Sequence, residues 1–549
     1  MRNSVLLALL CGLLYVFSFA PWDWAHLQWF AFLPLLFSID LLPARTGRST
    51  WIPTFLIGLI PAVVITLGGF YWMVHATQEY GGLPFGAAVA LWLIFSGVNQ
   101  LQIPIYLLLR RHLYESKALS ISNAFGAFQV TLMLAAAYVG IESLYPKLFL
   151  DTAGHAFYHA PWVRQWADVG GPFGITFLII CINELLYLAI RTRSLALWAL
   201  IGILALIIPS YGILRLRQLE TASTHDPART LNVALVQANI GDYLKLAAER
   251  GGYEATEEVM DRYLRLSRDA ASSPNPPDAI VWPETAYPAI FGQPKSPLER
   301  RMNERLFSHL KESPVSHWIG GYDSNENREE FNSLFFIKPK TEERAVYHKS
   351  ILLMFGETLP LADVFPSMKS WFPTMGFFGR GPGPQVFEVT NRFGTRFRMA
   401  PSICYEGLFS DYAAQGALLG ADALVNVTND SWFGPHGEPY LHLALTQFRA
   451  IETRLPLIRS TNTGISVIVD PSGETRAISG IGTEEVIRGE IHQPAQRSRS
   501  PYLSVSAIFG GNWFPRAGQI FTLLAFWIQR ARRSRQSSPT APFGPLGVR

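Results

Sequence analysis

The apolar residues of this chain are concentrated in its first 216 positions, and this distribution constrains the fold more than any other feature. Residues 217–512 have the mixed composition of a water-soluble domain, and one more apolar stretch follows them. A helix needs about 20 apolar residues to cross a bilayer. We therefore predict an α-helical membrane bundle of about eight helices, over residues 4–20, 26–42, 53–74, 85–109, 122–145, 173–190, 196–216 and 513–529.

The first apolar stretch has some features of a signal peptide, because Arg2 precedes it and Ser18-Phe-Ala20 ends it. Pro21 follows directly and disfavours cleavage there, so we predict a retained helix and keep cleavage as the alternative. Cys11 and Cys181 lie inside apolar stretches and are expected to be ordinary helix residues.

Basic residues alternate between the two ends of the predicted helices. Loops 21–25 and 75–84 contain no lysine or arginine, and 146–172 contains only Lys147 and Arg164. The opposite ends carry Arg2, Arg45, Arg48, Arg110, Arg111, Lys117, Arg191, Arg193, Arg530, Arg532, Arg533 and Arg535. Basic loops remain in the cytoplasm. We therefore expect both termini to be cytoplasmic and residues 217–512 to lie outside the cytoplasm.

Cys404 is the only cysteine of the water-soluble segment. A buried strand is predicted before it, over Phe397 to Ile403, and a polar turn and a helix after it. Backbone N–H groups and the positive helix end at such a turn favour a nucleophilic thiolate. A buried structural cysteine is the alternative. Because extracytoplasmic cysteines normally pair as disulfides, a single one favours catalysis.

Glu284 and Lys349 each end a strand-like segment, residues 278–283 and 344–348. Strands that end at one edge of a sheet bring such residues into one site. A carboxylate can take the proton of a thiol, and an ammonium can stabilise the oxyanion formed in acyl transfer. Solvated strand ends are the alternative for either residue alone.

The motifs around these residues resemble those of the nitrilase superfamily, in the same order. They are Trp282-Pro-Glu284-Thr, Tyr347-His-Lys349, Phe355-Gly-Glu357, Cys404-Tyr-Glu406, Asn426-Val-Thr-Asn-Asp-Ser-Trp-Phe-Gly434, Arg449-Ala-Ile-Glu-Thr-Arg454 and Asn462-Thr-Gly-Ile-Ser466. The resemblance covers most of residues 230–495. It implies an α/β nitrilase-like αββα sandwich domain within residues 217–512.

A nitrilase-like domain placed before the last membrane helix resembles the apolipoprotein N-acyltransferase family over nearly the whole chain. That family transfers an acyl chain from a phospholipid, through a cysteine thioester, to the α-amine of a diacylglyceryl-cysteine at a lipoprotein's N-terminus. We expect a bacterial inner-membrane location, no cofactor and a monomer.

Residue roles follow from the same resemblance, motif by motif. Cys404 would be the nucleophile, Glu284 the general base and Lys349 the oxyanion stabiliser, helped by backbone N–H near Tyr405. Glu357 and Glu406 would hold Lys349 charged and oriented, with a structural ion pair as their alternative.

Other binding classes receive little support. The net charge of +4 comes from basic residues at membrane edges, so no nucleic-acid partner is expected. Residues 530–549 are predicted to form a disordered basic cytoplasmic tail. Because no cysteine pair occurs and His436 and His442 lack zinc-ligand spacing, we expect no metal site.

Two segments bear on the substrate. Trp371 to Phe378 is an aromatic segment broken by glycine and proline, predicted to line a lipid entrance or, alternatively, to pack in the core. Ser350 to Met354, and Leu246 after Lys245, depart from the family's pattern and leave substrate preference open. A membrane-tethered amidase and a non-catalytic binding module are the competing functions.

Overall fold

The computed structural model describes residues 1–42, 51–79, 81–115, 123–222, 226–241, 252–359, 364–365, 367, 376–493 and 499–536, excluding the side chains of 115, 222 and 525–536. Its N-terminal part is helical. The helices are Arg2–Phe17, Gln28–Ala31, Leu33–Asp40, Trp51–Gly69, Met73–Glu79, Phe85–Val98, Gln102–Glu115, Ala124–Leu144, Ala167–Thr192 and Leu195–Ala222.

Five helical segments within the described ranges are long and apolar enough to cross a membrane. They are Trp51–Gly69, Phe85–Tyr114, Ala124–Leu144, Arg164–Thr192 and Leu195–Thr221. These correspond to five of the eight predicted spans, although Phe85–Tyr114 is divided into the helices Phe85–Val98 and Gln102–Glu115. The helix Arg2–Phe17 is apolar but only 16 residues long.

The predicted span 26–42 is wrong as one continuous helix. It is divided into a short 3-10 turn and the helices Gln28–Ala31 and Leu33–Asp40. Pro34 lacks an N–H and disfavours a continuous helix. At the break, the side-chain oxygen of Asn183 accepts hydrogen bonds from the N–H groups of Phe32 and Leu33, both at 3.0 Å. A polar partner from another helix therefore satisfies backbone groups that lipid cannot.

The last predicted span begins at Trp513 as expected, but its helix continues to Gln536. Arg530 to Arg535 are therefore helical, and the prediction of a disordered tail is wrong for this stretch. Arginine has a high helix propensity, so nothing in this stretch ends the helix. The remainder of the predicted tail lies outside the described residues.

The second part of the chain contains two six-stranded sheets. Their strands are β1 Thr230–Gln237, β2 Ala279–Val281, β3 Ser316–Ser324, β4 Glu330–Ile337, β5 Arg344–His348, β6 Phe387–Thr390, β7 Arg396–Ile403, β8 Ala423–Thr428, β9 Leu457–Thr461, β10 Val467–Val469, β11 Thr475–Ile478 and β12 Glu485–His492. The strand orders are β12-β1-β2-β3-β4-β5 and β11-β10-β9-β8-β7-β6. Parallel pairing joins β1, β2 and β3 in one sheet and β7, β8 and β9 in the other.

Successive side chains along a strand point to opposite faces of its sheet, and this alternation explains the layers of the domain. In β1, Leu231, Val233 and Leu235 pack between the two sheets, whereas Ala234 and Val236 pack under helices. The helices Tyr253–Ala271 and Pro297–Glu312 cover the first sheet, and Ser410–Leu418 and Glu438–Thr453 cover the second. This is the predicted αββα sandwich.

A buried ion cluster joins the sandwich to the helical part. The guanidinium of Arg454 lies 2.6 Å from Asp168 and donates to the side chain of Gln165 at 2.8 Å. Arg215, from the helix Leu195–Ala222, lies 2.7 Å from the same Asp168. Removing one member would leave a buried charge without its partner, which is costly. The cluster therefore fixes the two parts against each other.

Candidate active site

Glu284 follows β2 and is 6% exposed. One of its oxygens accepts from the side chain of Asn332 at 2.7 Å, and the other accepts from the backbone N–H of Asn429 at 3.0 Å. Gly320 lies directly behind it, where a Cβ would come within 2.1 Å of the Pro283 oxygen. Only glycine fits there, so the backbone of β3 can hold the glutamate turn in place.

Lys349 follows β5, and its ammonium is buried between two carboxylates. Its Nζ lies 3.2 Å from Glu284 and 2.8–2.9 Å from the two oxygens of Glu357. Burial alone would lower the pKa of Lys349, but Glu284 and Glu357 outweigh it and hold that pKa well above its ordinary value. Lys349 is therefore a fixed positive charge at neutral pH.

Cys404 begins the turn after β7 and has a positive φ of 49°. Its thiol is buried, and its pKa is raised well above its ordinary value by burial and by the charge of Glu284, although Lys349 and Thr428 act in the opposite direction. The expectation that the turn would favour a thiolate is therefore wrong for the resting site. Desolvation and a nearby carboxylate outweigh the turn's N–H groups. A thiol in this state would need a base in order to act as a nucleophile.

Tyr405 connects this turn to the helical part. Its hydroxyl donates to the carbonyl of Leu148 at 2.6 Å, and its ring meets that of Phe149 edge-on at 6.4 Å. Phe149 in turn packs against Trp72, with ring centroids 5.2 Å apart. An apolar aromatic cluster therefore lies between the cysteine turn and the apolar helices.

Glu406 does not hold Lys349 as we predicted from sequence. One of its oxygens accepts from the N–H groups of Ser350 and Ile351, and the other accepts from Ile403 N–H and the hydroxyl of Tyr347. Burial raises the pKa of Glu406, although these hydrogen bonds oppose the shift. Its carboxylate instead ties the backbone after Lys349 to the strand before Cys404, whereas Glu357 contacts Lys349 as predicted.

Two site residues were missed by the sequence reasoning. Asn332 donates from its side-chain nitrogen to both Glu284 and Glu357, and its backbone carbonyl accepts from the backbone N–H of Lys349. Asn429 lies in the quoted motif that begins at Asn426, but its contribution is a backbone N–H, which no residue type reveals. Asn332 gave no distinct sequence signal, because the polar residues Glu330 and Ser333 lie near it in strand β4.

The aromatic segment 371–378 lies mostly outside the described residues, which resume at Gly376. The ring of Phe378 stacks on Tyr322 at 5.7 Å. The glycine-rich run that follows packs along Lys349, where Gly381 N–H donates to the Lys349 carbonyl at 2.8 Å. A Cβ on Gly381 would lie 2.0 Å from the His348 oxygen. This run therefore packs against the lysine strand, and the close approach at residue 381 requires glycine.

Comparison with known proteins matches residues 232–499 to the carbon-nitrogen hydrolase family. The fold and this match define a carbon-nitrogen hydrolase domain carried by apolar helices. Residues 11–185 match the apolipoprotein N-acyltransferase N-terminal domain. The chain belongs to the apolipoprotein N-acyltransferase family.

Full-length relatives show the same relationship. The apolipoprotein N-acyltransferase of Bdellovibrio bacteriovorus is 32% identical over 85% of this chain and 84% of its own length. That of Geobacter metallireducens is 30% identical over 89% of both chains. Among solved structures, Saccharomyces cerevisiae Nit3, of the nitrilase superfamily, aligns with 48% of this chain and 90% of its own, at 19% identity and a TM-score of 0.34.

Proposed function

We propose that the chain transfers a fatty acyl group from a membrane phospholipid to the α-amine of a diacylglyceryl-cysteine at the N-terminus of an apolipoprotein. The observation that carries the mechanism is the convergence of Glu284, Lys349 and Cys404 in one buried site. Family membership supports the substrates. One chain supplies all three groups, which supports action as a monomer.

In the first half-reaction, Glu284 takes the thiol proton as the sulfur of Cys404 attacks the ester carbonyl carbon of the phospholipid. The tetrahedral oxyanion forms beside the ammonium of Lys349, which is already in place and needs no reorganisation. As the intermediate collapses, the ester C–O bond breaks and Glu284 returns the proton to the leaving alcohol. The products are a lysophospholipid and acyl-Cys404.

In the second half-reaction, the α-amine of the acceptor attacks the thioester carbonyl. Glu284 takes a proton from the amine, and the thiolate of Cys404 leaves and receives that proton. An amide bond forms and the resting thiol returns. The aromatic cluster around Phe149 and Tyr405 excludes water, so the thioester persists until the amine arrives.

We assign residues 1–216 and 513–529 to the membrane and 217–512 to a catalytic domain on the outer side of the bacterial inner membrane, with both termini cytoplasmic. The basic-residue distribution supports this orientation. The two basic residues of loop 146–172 are consistent with it. Lys147 is 3.0 Å from buried Glu142, and Arg164 donates to the carbonyls of Tyr158 and Ser472. Both basic side chains are therefore paired within the protein, and neither adds a free positive charge to the surface of this loop.

The experiment that tests the function follows lysophospholipid release from purified protein. With phospholipid alone we expect about one equivalent and then a stall, because the second half-reaction needs an amine. Adding a diacylglyceryl-cysteine peptide should restart turnover and place the acyl chain on its α-amine. Steady release of free fatty acid without an acceptor would make the protein a hydrolase and contradict the proposal.

A further inference from the structure

A second cluster of buried ionisable groups lies beside the Glu284 site. It comprises Asp430, two residues after β8, Arg459 on β9, and Glu438 and His442 one turn apart on the helix Glu438–Thr453, each at most 5% exposed. Asp430 lies 3.0 Å from Nδ1 of His442 and, through its other oxygen, 3.0 Å from the guanidinium of Arg459. Glu438 lies 3.3 Å from the same Nδ1.

The cluster contains two carboxylates, Asp430 and Glu438, and two basic groups, His442 and Arg459. Three of its members, Asp430, Glu438 and His442, place ligand-type atoms within 4.8 Å of one another. The spacing of the histidines in the sequence did not indicate this grouping. Arg459 already supplies a cation to Asp430. Burial and Arg459 would lower the pKa of His442, but Asp430 and Glu438 outweigh them and raise it to about 8. We therefore interpret the cluster as an ion network.

The network fixes Asp430, which is the neighbour in sequence of Asn429, the residue that contacts Glu284. Asp430 directly follows Asn429, whose N–H donates to Glu284 at 3.0 Å. On a third side Gly464 approaches so closely that a Cβ there would lie 2.1 Å from the Asp430 carboxylate. The carboxylate of Asp430 is thus held from β9, from the helix Glu438–Thr453 and from Gly464.

We propose that His442 and Arg459 are positioning residues for the general base. By holding Asp430 from two sides, they aim the backbone N–H of Asn429 at the carboxylate of Glu284. Asn429 contacts Glu284 through its backbone. Its own side chain accepts hydrogen bonds from Ser431 and Asn462, and the network fixes the residue that follows it. This inference rests on the proposed role of Glu284 and adds two residues that do not contact the reacting atoms.

The test compares two substitutions of His442. His442→Asn keeps a side-chain N–H close to the place of Nδ1, whereas His442→Leu keeps the approximate volume and removes the donor. Asp422→Asn is the matched control, because Asp422 is also buried and precedes the same strand β8 at the end far from Glu284. Each variant receives phospholipid alone, and the single-turnover rate of acyl-Cys404 formation, the half-saturating donor concentration and the unfolding temperature are measured.

We expect His442→Leu to slow acylation about tenfold or more with an unchanged half-saturating donor concentration, because a hydrogen bond to a charged group is lost. His442→Asn should recover most of the rate. Asp422→Asn should lower the unfolding temperature without slowing acylation more than about twofold. An unchanged rate in His442→Leu, no recovery in His442→Asn, or equal slowing in Asp422→Asn would overturn the proposal.

If His442→Leu does not fold, Asp430→Asn replaces it, since the amide keeps the shape of the carboxylate and loses its charge. The same slowing at unchanged donor saturation is expected, and a wild-type rate would overturn the proposal. Absence of acyl-Cys404 from the wild-type protein would instead contradict the proposed function, so the two failures are distinguishable.

Discussion

The hydroxyl of Tyr405 donates a hydrogen bond to the carbonyl of Leu148 at 2.6 Å. Tyr405 immediately follows Cys404, and Leu148 lies in the loop after the apolar helix Ala124–Leu144. The turn that carries the thiol is therefore anchored directly to the helical part. Because this anchor is one hydrogen bond from one side chain, its contribution to the acylation rate can be measured with a single substitution.

Tyr405→Phe should slow acylation of Cys404 up to about tenfold while leaving the protein folded, since a neutral hydrogen bond is worth about 1 kcal/mol and the ring is kept. The single-turnover rate with phospholipid measures this. Tyr253→Phe is the control, because the Tyr253 hydroxyl also makes a hydrogen bond, from Arg301 at 2.7 Å, on an exposed surface. Equal rates in the two variants would show that the anchor does not matter for chemistry.

Lys349→Met should lower acylation at least about a hundredfold, because it removes the charge that stabilises the oxyanion. It should also destabilise the fold, since Glu284 and Glu357 lose their buried cation. The double variant Lys349→Met with Glu357→Gln removes one of the two unpaired charges. We expect the double variant to recover unfolding temperature but not acylation rate. Recovery of both would mean that Lys349 acts only in folding.

Much of this architecture was predictable from the sequence, because the sequence patterns that indicate it are local. Apolar stretches located the helices, and the positions of Glu284, Lys349 and Cys404 at strand ends were predictable. The sequence did not show that Glu284 and Lys349 follow strands of one sheet whereas Cys404 follows β7 of the other. The roles of Asn429 and Glu406 were not, because a backbone N–H has no residue signature and a buried carboxylate has several partners within reach. The thiol's raised pKa depends on burial, which only the packed structure defines.

Glu284→Gln should separate two effects of that glutamate on Cys404. One is the effect of its charge on the pKa of the thiol, and the other is its proposed action as a base. Its negative charge contributes to the raised pKa of the thiol, so its removal should lower that pKa and increase the thiolate fraction at neutral pH. We expect faster alkylation of Cys404 by iodoacetamide at pH 7, with the midpoint of the pH profile moved to lower pH, together with loss of acyl transfer. A midpoint unchanged or moved to higher pH would contradict this electrostatic account.

Membrane orientation is testable with single cysteines in a Cys404→Ser background. Cys11 and Cys181 are buried in apolar helices and should not react with a membrane-impermeant maleimide. Glu326→Cys, on an exposed turn of the catalytic domain, should be labelled in intact spheroplasts. Thr192→Cys, at the expected cytoplasmic end of its helix, should be labelled only after permeabilisation. The reverse pattern would refute the orientation.

The most direct test of the central claim is the mass of Cys404 after incubation with phospholipid. Purified wild-type protein should gain one fatty-acyl group on the peptide that contains Cys404, and hydroxylamine should remove it because a thioester is cleaved readily. Cys404→Ser, which preserves the fold but offers a hydroxyl far less ionised than a thiol, should gain none. An unmodified Cys404 in folded wild-type protein, or acyl transfer at the wild-type rate by Cys404→Ser, would contradict the thioester mechanism.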